Sequence, residues 1–199
     1  MEILQIALFF WFGNIENKDF FPKDRANVWF SGGDEIDAEI TEKFKIAIDE
    51  AYLGKFDHLG DDPRSLMAIL LLLDQFPRNI YRNSPKFLEY DEKALKLCKD
   101  GLEKGLHKEL SYIERVFFYL PLEHSEEFDD QIRCLKLFEE LYEEVPESIK
   151  EPIGVSLNYA KEHFEVIKKF GRFPHRNKIL GRESTDEEIK LLEAGGSFF

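Results

Sequence analysis

The sequence predicts one soluble, all-α domain that spans residues 1–199. Three observations lead to this prediction. Apolar residues recur at steps of three and four in several long segments, which is the period of an amphipathic helix. Capping residues, prolines and glycines stand where such helices would begin and end. No segment shows a sustained alternation of β-branched and polar residues, so no sheet is expected.

Simple signals mark the helices of the first part of the chain. The apolar run Ile3–Phe12 predicts a buried first helix, since it is too short to cross a bilayer, which needs about 20 apolar residues. The segment Asp34–Gly54 has the helical period throughout. Asp62–Pro63 provides a cap and a first-turn proline for the next helix. In that helix Leu66–Leu73 is apolar on every face, which predicts the central core helix.

Two prolines are predicted to end helices, because a proline inside a helix removes a hydrogen bond and clashes with the preceding turn. Pro77 is expected to end the core helix. Ser84–Pro85 then begins the next helix. The pair Ser111–Glu114 has the pattern of a capping box and begins a further helix, which Pro121 is expected to end.

Three more helices are predicted in the rest of the chain. An apolar stripe covers Phe128–Leu141 and stops before Pro146, and a second stripe covers Ile153–Phe170 and stops at Gly171. The pair Thr185–Glu188 has the pattern of another capping box and begins a short final helix.

Composition limits the partners and the compartment. The formal net charge of −13 would repel a phosphate backbone, because affinity for nucleic acid comes from lysines and arginines. No nucleic-acid partner is therefore expected. Cys98 and Cys134 fall inside apolar helical patterns and predict reduced core thiols of a cytoplasmic protein. Glu2 stands where a signal peptide has basic residues, so neither a signal peptide nor any other membrane segment is predicted.

Two segments, Asp74–Arg82 and Gly171–Asn177, share one pattern in which Phe-Pro is followed by arginine and asparagine. The two apolar residues are expected to make each turn rigid, so that the polar side chains project from a fixed support. Guanidinium groups bind planar anions through two parallel hydrogen bonds, so the pattern suits a carboxylate or phosphate. The predicted ligand-binding residues are Gln75, Arg78, Asn79, Arg82, Arg172, His175, Arg176, Asn177 and Arg182.

A structural role is the alternative for these arginines. Arginines near helix ends commonly bond the last carbonyl groups of the helix. They also pair with acids, of which this chain has 40.

A third polar segment, Pro121–Glu126, lies between two predicted helices. In it Glu123 would orient His124, which would act as a general base near neutral pH. The alternative is that Ser125 or Glu126 only caps the next helix while the histidine packs beneath it.

The sequence has no recognisable metal or cofactor motif. His124, His163 and His175 lack the spacing of a H-E-x-x-H or C-x-x-C site, so no metal ion is predicted. No G-x-S-x-G, Walker or G-x-G-x-x-G pattern occurs, and no cofactor is expected.

At these segments the chain resembles the bacterial domain-of-unknown-function family 924. The resemblance covers nearly the whole chain and depends on long strings: Phe9–Gly13, Leu73–Asn79, Pro121–Glu126 and Phe170–Asn177, with Leu180–Arg182 after them. It implies a tetratricopeptide-like fold of paired antiparallel helices and names no catalytic residue. The sequence itself contains no 34-residue tetratricopeptide period, so that likeness would rest on geometry.

Three functions are compatible with these patterns. The first is a binding module that holds an anionic small molecule or a peptide carboxylate between the two Phe-Pro segments and Pro121–Glu126. The second is an enzyme acting on an anionic substrate, with His124 or His175 as acid or base and Glu123 as the orienting partner. The third is a tetratricopeptide-like interaction scaffold, which would need an exposed apolar groove.

Overall fold

The computed structural model describes residues 2–25, 28–29, 33–82 and 84–195. Within these ranges the chain is helical and contains no strand, so the predicted all-α fold class is confirmed. The chain forms two compact units, residues 1–121 and 122–199. One domain over residues 1–199 stays a prediction, since two compact units can still unfold together.

The helix bounds follow the predicted signals closely. The first unit contains α1 Glu2–Phe12, α2 Asp34–Tyr52, α3 Pro63–Leu70, α4 Phe76–Ile80 and α5 Leu88–Glu103, and α6 Tyr112–Glu123 begins in it. The second unit contains α7 Phe128–Glu144, α8 Glu147–Phe170 and α9 Asp186–Glu193.

The core of the first unit surrounds the predicted central helix. Every residue of Leu66–Leu73 is buried, as the apolar run predicts. The ring of Phe76 packs at 4.7 Å from that of Phe44 and at 5.5 Å from that of Trp11. These rings join α1 and α2 to the helical stretch that contains Phe76. The first helix is buried on one face, whereas Ile6 and Phe9 on its other side are exposed, so its predicted burial is confirmed only in part.

The prediction that Pro77 ends the core helix is wrong. Residues Leu71–Gln75 form a π-helical turn, in which the N–H of Phe76 donates to the carbonyl of Leu71. The turn takes in one extra residue, so Pro77 lies in the first turn of α4, where no intrahelical N–H bond is required. The first Phe-Pro pair therefore lies within a continuous helical stretch.

Pro121 also fails to end its helix, because α6 contains this proline and continues to Glu123. The capping box that begins α6 is present: the N–H of Ser111 donates to Glu114 at 3.0 Å. In return the Glu114 N–H donates to the Ser111 hydroxyl at 3.4 Å.

In the second unit α7 and α8 form an antiparallel hairpin. Phe128, at the start of α7, stacks at 5.5 Å on Phe164 near the end of α8. Gly154, in the first half of α8, lies beside Tyr142 near the end of α7. Gly171 ends α8 in the left-handed conformation (φ 67°), as its position predicts.

Cys98 and Cys134 are buried and outside any disulfide, which confirms the predicted core thiols. No helix within the described part of the chain is long and apolar enough to cross a membrane.

Candidate functional site

In the second unit, polar side chains from α8 and from the segment that follows it lie around the ring of Phe173. The ring is fully buried. His163 lies 5.5 Å from it and His175 lies 5.6 Å from it, both measured between ring centroids. The guanidinium carbon of Arg176 lies 4.6 Å from its centroid. We call His124, His163, His175 and Arg176 the histidine cluster.

His124 joins the cluster through the turn between α6 and α7. The side chain of buried Gln131 stabilises that turn. Its Nε2 donates to the carbonyls of Leu122 at 3.2 Å, Glu123 at 2.8 Å and Ser125 at 2.7 Å. The carbonyl of His124 then accepts Nη1 of Arg176 at 3.0 Å. Arg176 is 7% exposed, so the cluster contains a guanidinium largely removed from water.

Glu126 fixes the second Phe-Pro turn. Its carboxylate accepts the N–H of Phe173 at 2.8 Å and both terminal nitrogens of Arg182, at 2.7 and 2.9 Å. Partial burial alone would raise the pKa of Glu126, but the hydrogen bonds from Arg182 and Phe173 lower it on balance. Glu126 therefore binds the turn and does not cap α7, whereas the Ser125 hydroxyl accepts the N–H of Glu127 at the start of that helix.

A second ion pair closes the C-terminal segment. Arg172 donates to both oxygens of buried Glu188, at 2.7 and 2.8 Å. The N–H of Thr185 donates to the same carboxylate at 2.7 Å, which completes the predicted capping box of α9. The hydrogen bonds from Arg172 lower the pKa of Glu188 to about 2, and they raise the pKa of Arg172. Asn177 also donates to Glu188, at 3.2 Å.

The carboxylate that was predicted to orient His124 lies beside a different histidine. Oε1 of Glu123 is 3.7 Å from Nδ1 of His163, and that nitrogen is 2.8 Å from the carbonyl of Tyr159. Burial, together with the smaller effect of the charges of His124, Arg176 and His175, lowers the pKa of His163 to about 2. His163 is therefore neutral at physiological pH and uses Nδ1–H as a donor.

In the first unit, Arg78 is held by acids. It donates to Asp74 at 3.1 Å and to Asp91 at 2.7 Å. Burial alone would lower the pKa of Arg78, but these two carboxylates raise it on balance. Gln75 donates to Asp74 as well. The guanidinium of Arg78 is thus already occupied by two internal anions.

Asn79 and Arg82 line a cavity of about 700 Å³ in the same unit. Arg82 donates from Nε and Nη2 to the two oxygens of Asp37, at 3.2 and 3.0 Å. Asn79 donates to the same carboxylate at 3.0 Å. We call this cavity the first-unit pocket; its lining is Gly33, Asp34, Asp37, Ala38, Thr41, Asn79, Ile80, Tyr81, Arg82 and Ser84.

Comparisons with known proteins support the resemblance. The model of the family described as "bacterial protein of unknown function (DUF924)" matches residues 7–196. The chain belongs to this family. A solved structure of the protein of unknown function ATU0120 from Agrobacterium tumefaciens is 34% identical, with a TM-score of 0.76. The match covers 88% of this chain and 94% of that one. No curated protein matches the sequence.

The predicted site residues of this DUF924 chain fall into two groups. Those of the first Phe-Pro segment lie in the first unit, and those of the second segment lie with Pro121–Glu126 in the second unit. Within the second unit, the convergence of the turn at His124 with the turn at His175 agrees with the sequence hypothesis. Their predicted binding of an anion stays a prediction, as does catalysis by His124 or His175.

Sequence reasoning missed the place of His163, which it weighed only as a metal ligand. No group of three or more histidine, cysteine or acidic side chains suited to a metal ion occurs in the ranges that the structure describes. The spacing of His163 along α8 matches that of its apolar neighbours Ala160 and Ile167, so its position indicates burial but not its neighbours.

Proposed function

We propose that this DUF924 protein is a binding module whose histidine cluster holds a small anion or a peptide carboxylate. One observation carries the proposal: His175 and buried Arg176 pack on the ring of Phe173, and Arg176 also binds the backbone carbonyl of His124. An arginine that is largely removed from water attracts an anion more strongly than an exposed one, because the local dielectric constant is lower. Burial is the main cause of the low pKa of His163, and the charges of His124, Arg176 and His175 add to it.

The half-buried side chains of His124 and His175 are the groups that reach solvent at this cluster. In the proposal they contact the anion, and Arg176 supplies a fixed positive charge. Arg172 and Arg182 have a supporting role, since each holds a carboxylate of the unit through two nitrogens. Asn177 supports the same segment through Ser184 and Glu188.

An enzyme acting on an anionic substrate is the second candidate, and the closeness of Glu123 to His163 favours it. A base must accept a proton near the working pH, whereas His163 has a pKa of about 2. This argument excludes only His163 as the base and leaves the enzyme alternative with His124 or His175. Binding is the function that the buried charge of Arg176 favours. The tetratricopeptide-like scaffold and the cytoplasmic location stay proposals, the latter supported by the two reduced core thiols.

Calorimetric titration and thermal unfolding with inorganic phosphate and with acetate, at pH 6 and pH 8, test the proposal. At a hundred times its dissociation constant, a bound anion should add about 2.7 kcal/mol of stability. We expect tighter binding at pH 6, because a protonated imidazole pairs with an anion. His175→Gln and Arg176→Gln should each weaken binding at least tenfold, because each removes a positive charge that the proposal places at the anion site.

His58→Gln is the matched control, because His58 is exposed and lies in the first unit. It should bind the anions as the wild type does. The proposal is wrong if sodium chloride of equal ionic strength gives the same thermal shift as phosphate and acetate. It is also wrong if both cluster variants fold and retain full affinity.

A further inference from the structure

The first-unit pocket has the size of a small-molecule site, and its lining carries charged side chains of both signs. Its volume of about 700 Å³ falls in the range of roughly 300–1,000 Å³ that ligand sites occupy. Its lining combines the apolar side chains of Ala38 and Ile80 with the ring of Tyr81. The charged groups of the lining are Asp34, Asp37 and Arg82.

Arg82 has one guanidinium nitrogen, Nη1, that takes no part in its ion pair. Its Nε and Nη2 bind Asp37, whose carboxylate is also held by Asn79. Nη1 has no hydrogen-bond partner among the described residues, and the side chain is 51% exposed. The pair with Asp37 fixes the plane of the guanidinium, so its remaining donors are pre-organised for an acceptor in the pocket.

Asp34 carries the opposite charge without compensation. Its carboxylate makes no hydrogen bond or ion pair with any residue that the structure describes, and the side chain is exposed. Arg82 already neutralises Asp37. The pocket therefore offers one unneutralised carboxylate and one guanidinium donor, which together match a ligand that carries both an ammonium and a carboxylate group.

Neutral groups complete the lining. Ser84 accepts the N–H of Lys86 at 3.2 Å, which leaves its hydroxyl proton for a ligand acceptor. The ammonium group of Lys86 lies 4.7 Å from the centroid of the Tyr81 ring. This contact holds the ring in place in the pocket lining.

We propose that the first-unit pocket binds a small zwitterion, a free amino acid or a short peptide, with its ammonium group at Asp34 and its carboxylate at Arg82. None of the pocket residues belongs to the histidine cluster. This proposal and the proposed function therefore fail or succeed separately, and different variants test them.

A titration with three probes of matched size tests the zwitterion site: glycylglycine, N-acetylglycine and glycinamide. The first carries both charges, the second only the negative charge and the third only the positive charge. Binding is followed by the shifts of amide NMR signals at probe concentrations up to 10 mM, which is roughly the weak end of specific binding. We expect glycylglycine to bind at least tenfold more tightly than either single-charge probe. Asp34→Asn and Arg82→Gln should each weaken its binding at least tenfold.

Both substituted side chains are exposed, so the variants should fold, and circular dichroism checks this. Arg64→Gln is the control, since Arg64 is a half-exposed arginine of the same unit outside this pocket. Absence of binding by glycylglycine overturns the proposal, as does unchanged affinity in Asp34→Asn and Arg82→Gln. Equal binding by N-acetylglycine or by glycinamide also overturns it, because the site would then recognise a single charge.

Discussion

His163 is a buried histidine that the fold keeps neutral. Its pKa is lowered to about 2 because burial disfavours the imidazolium form. In the unfolded chain a histidine has a pKa of about 6.5. Below that pH the unfolded state therefore binds a proton that the native state does not bind. The free energy of unfolding is therefore unaffected by this residue above about pH 6.5, and it decreases progressively as the pH falls from there towards 2.

His163→Asn should reduce this pH dependence. The asparagine amide can donate to the Tyr159 carbonyl as Nδ1 does, but it does not titrate. In the wild type, the free energy of unfolding should fall by on the order of 1 kcal/mol per pH unit between about pH 6 and pH 5 because of this residue. Urea unfolding at half-unit pH steps measures the slope, and the variant should show a smaller one.

His58→Asn provides the comparison for this measurement, because His58 is exposed. Its slope should equal that of the wild type. An unchanged slope in His163→Asn would show that His163 is protonated in the native state, contrary to the burial argument.

At the level of single residues, local patterns were predictable and distant neighbours were not. Arg172 and Arg182 were recognised as anion-binding groups, and both do bind carboxylates, through Glu188 and Glu126. These pairs match the structural alternative, in which the arginines bind acids of the chain, but the sequence could not say which acids. Arg182 and Glu126 are 56 positions apart, and a chain with 40 acidic residues offers too many partners.

At the level of the helix, Gly101 marks a place where α5 comes very close to its neighbours. A Cβ atom at this position would lie 2.5 Å from Cδ2 of Leu66 and 2.8 Å from Cζ of Phe118. Gly101→Ala should therefore destabilise the protein by about 1–3 kcal/mol through overpacking. This loss exceeds the gain in helix propensity of about 1 kcal/mol that alanine brings. Chemical denaturation measures the difference.

Gly154→Ala is the matched helical control. A Cβ atom there meets only the edge of the Tyr142 ring, at 3.2 Å, and that ring is half-buried. The gain in helix propensity and the small displacement should nearly cancel, within about 1 kcal/mol. If Gly101→Ala is as stable as this control, the overpacking argument is wrong, because the neighbouring side chains then make room for the added methyl group.

Helix starts were predictable because a cap is a contact between residues three positions apart. Both capping boxes, at Ser111 and at Thr185, form as their spacing indicates. Helix continuation through Pro77 and Pro121 was not predictable. At Pro77 it depends on the preceding π-helical turn, which leaves no local sequence signal, and the structure shows no comparable cause at Pro121.

At the level of the whole chain, we expect a single unfolding transition. The helix α6 begins with its capping box in the first unit and ends at Glu123 in the second, so unfolding either unit removes part of this helix. Glu188→Gln should destabilise the second unit, because Arg172, Asn177 and the N–H of Thr185 all lose a carboxylate acceptor. For a chain of this length the midpoint should fall by roughly 2–4 °C for each kcal/mol lost.

The two tryptophans, Trp11 and Trp29, both lie in the first unit, so their fluorescence reports on that unit alone. If the chain unfolds as one domain, Glu188→Gln should lower the fluorescence midpoint as much as the midpoint followed by far-ultraviolet circular dichroism. Glu187→Gln is the control, because Glu187 is 72% exposed and its only ion pair within the described ranges, with Lys169, spans 3.9 Å. A fluorescence midpoint that stays fixed while the dichroism curve splits would show two domains that unfold independently.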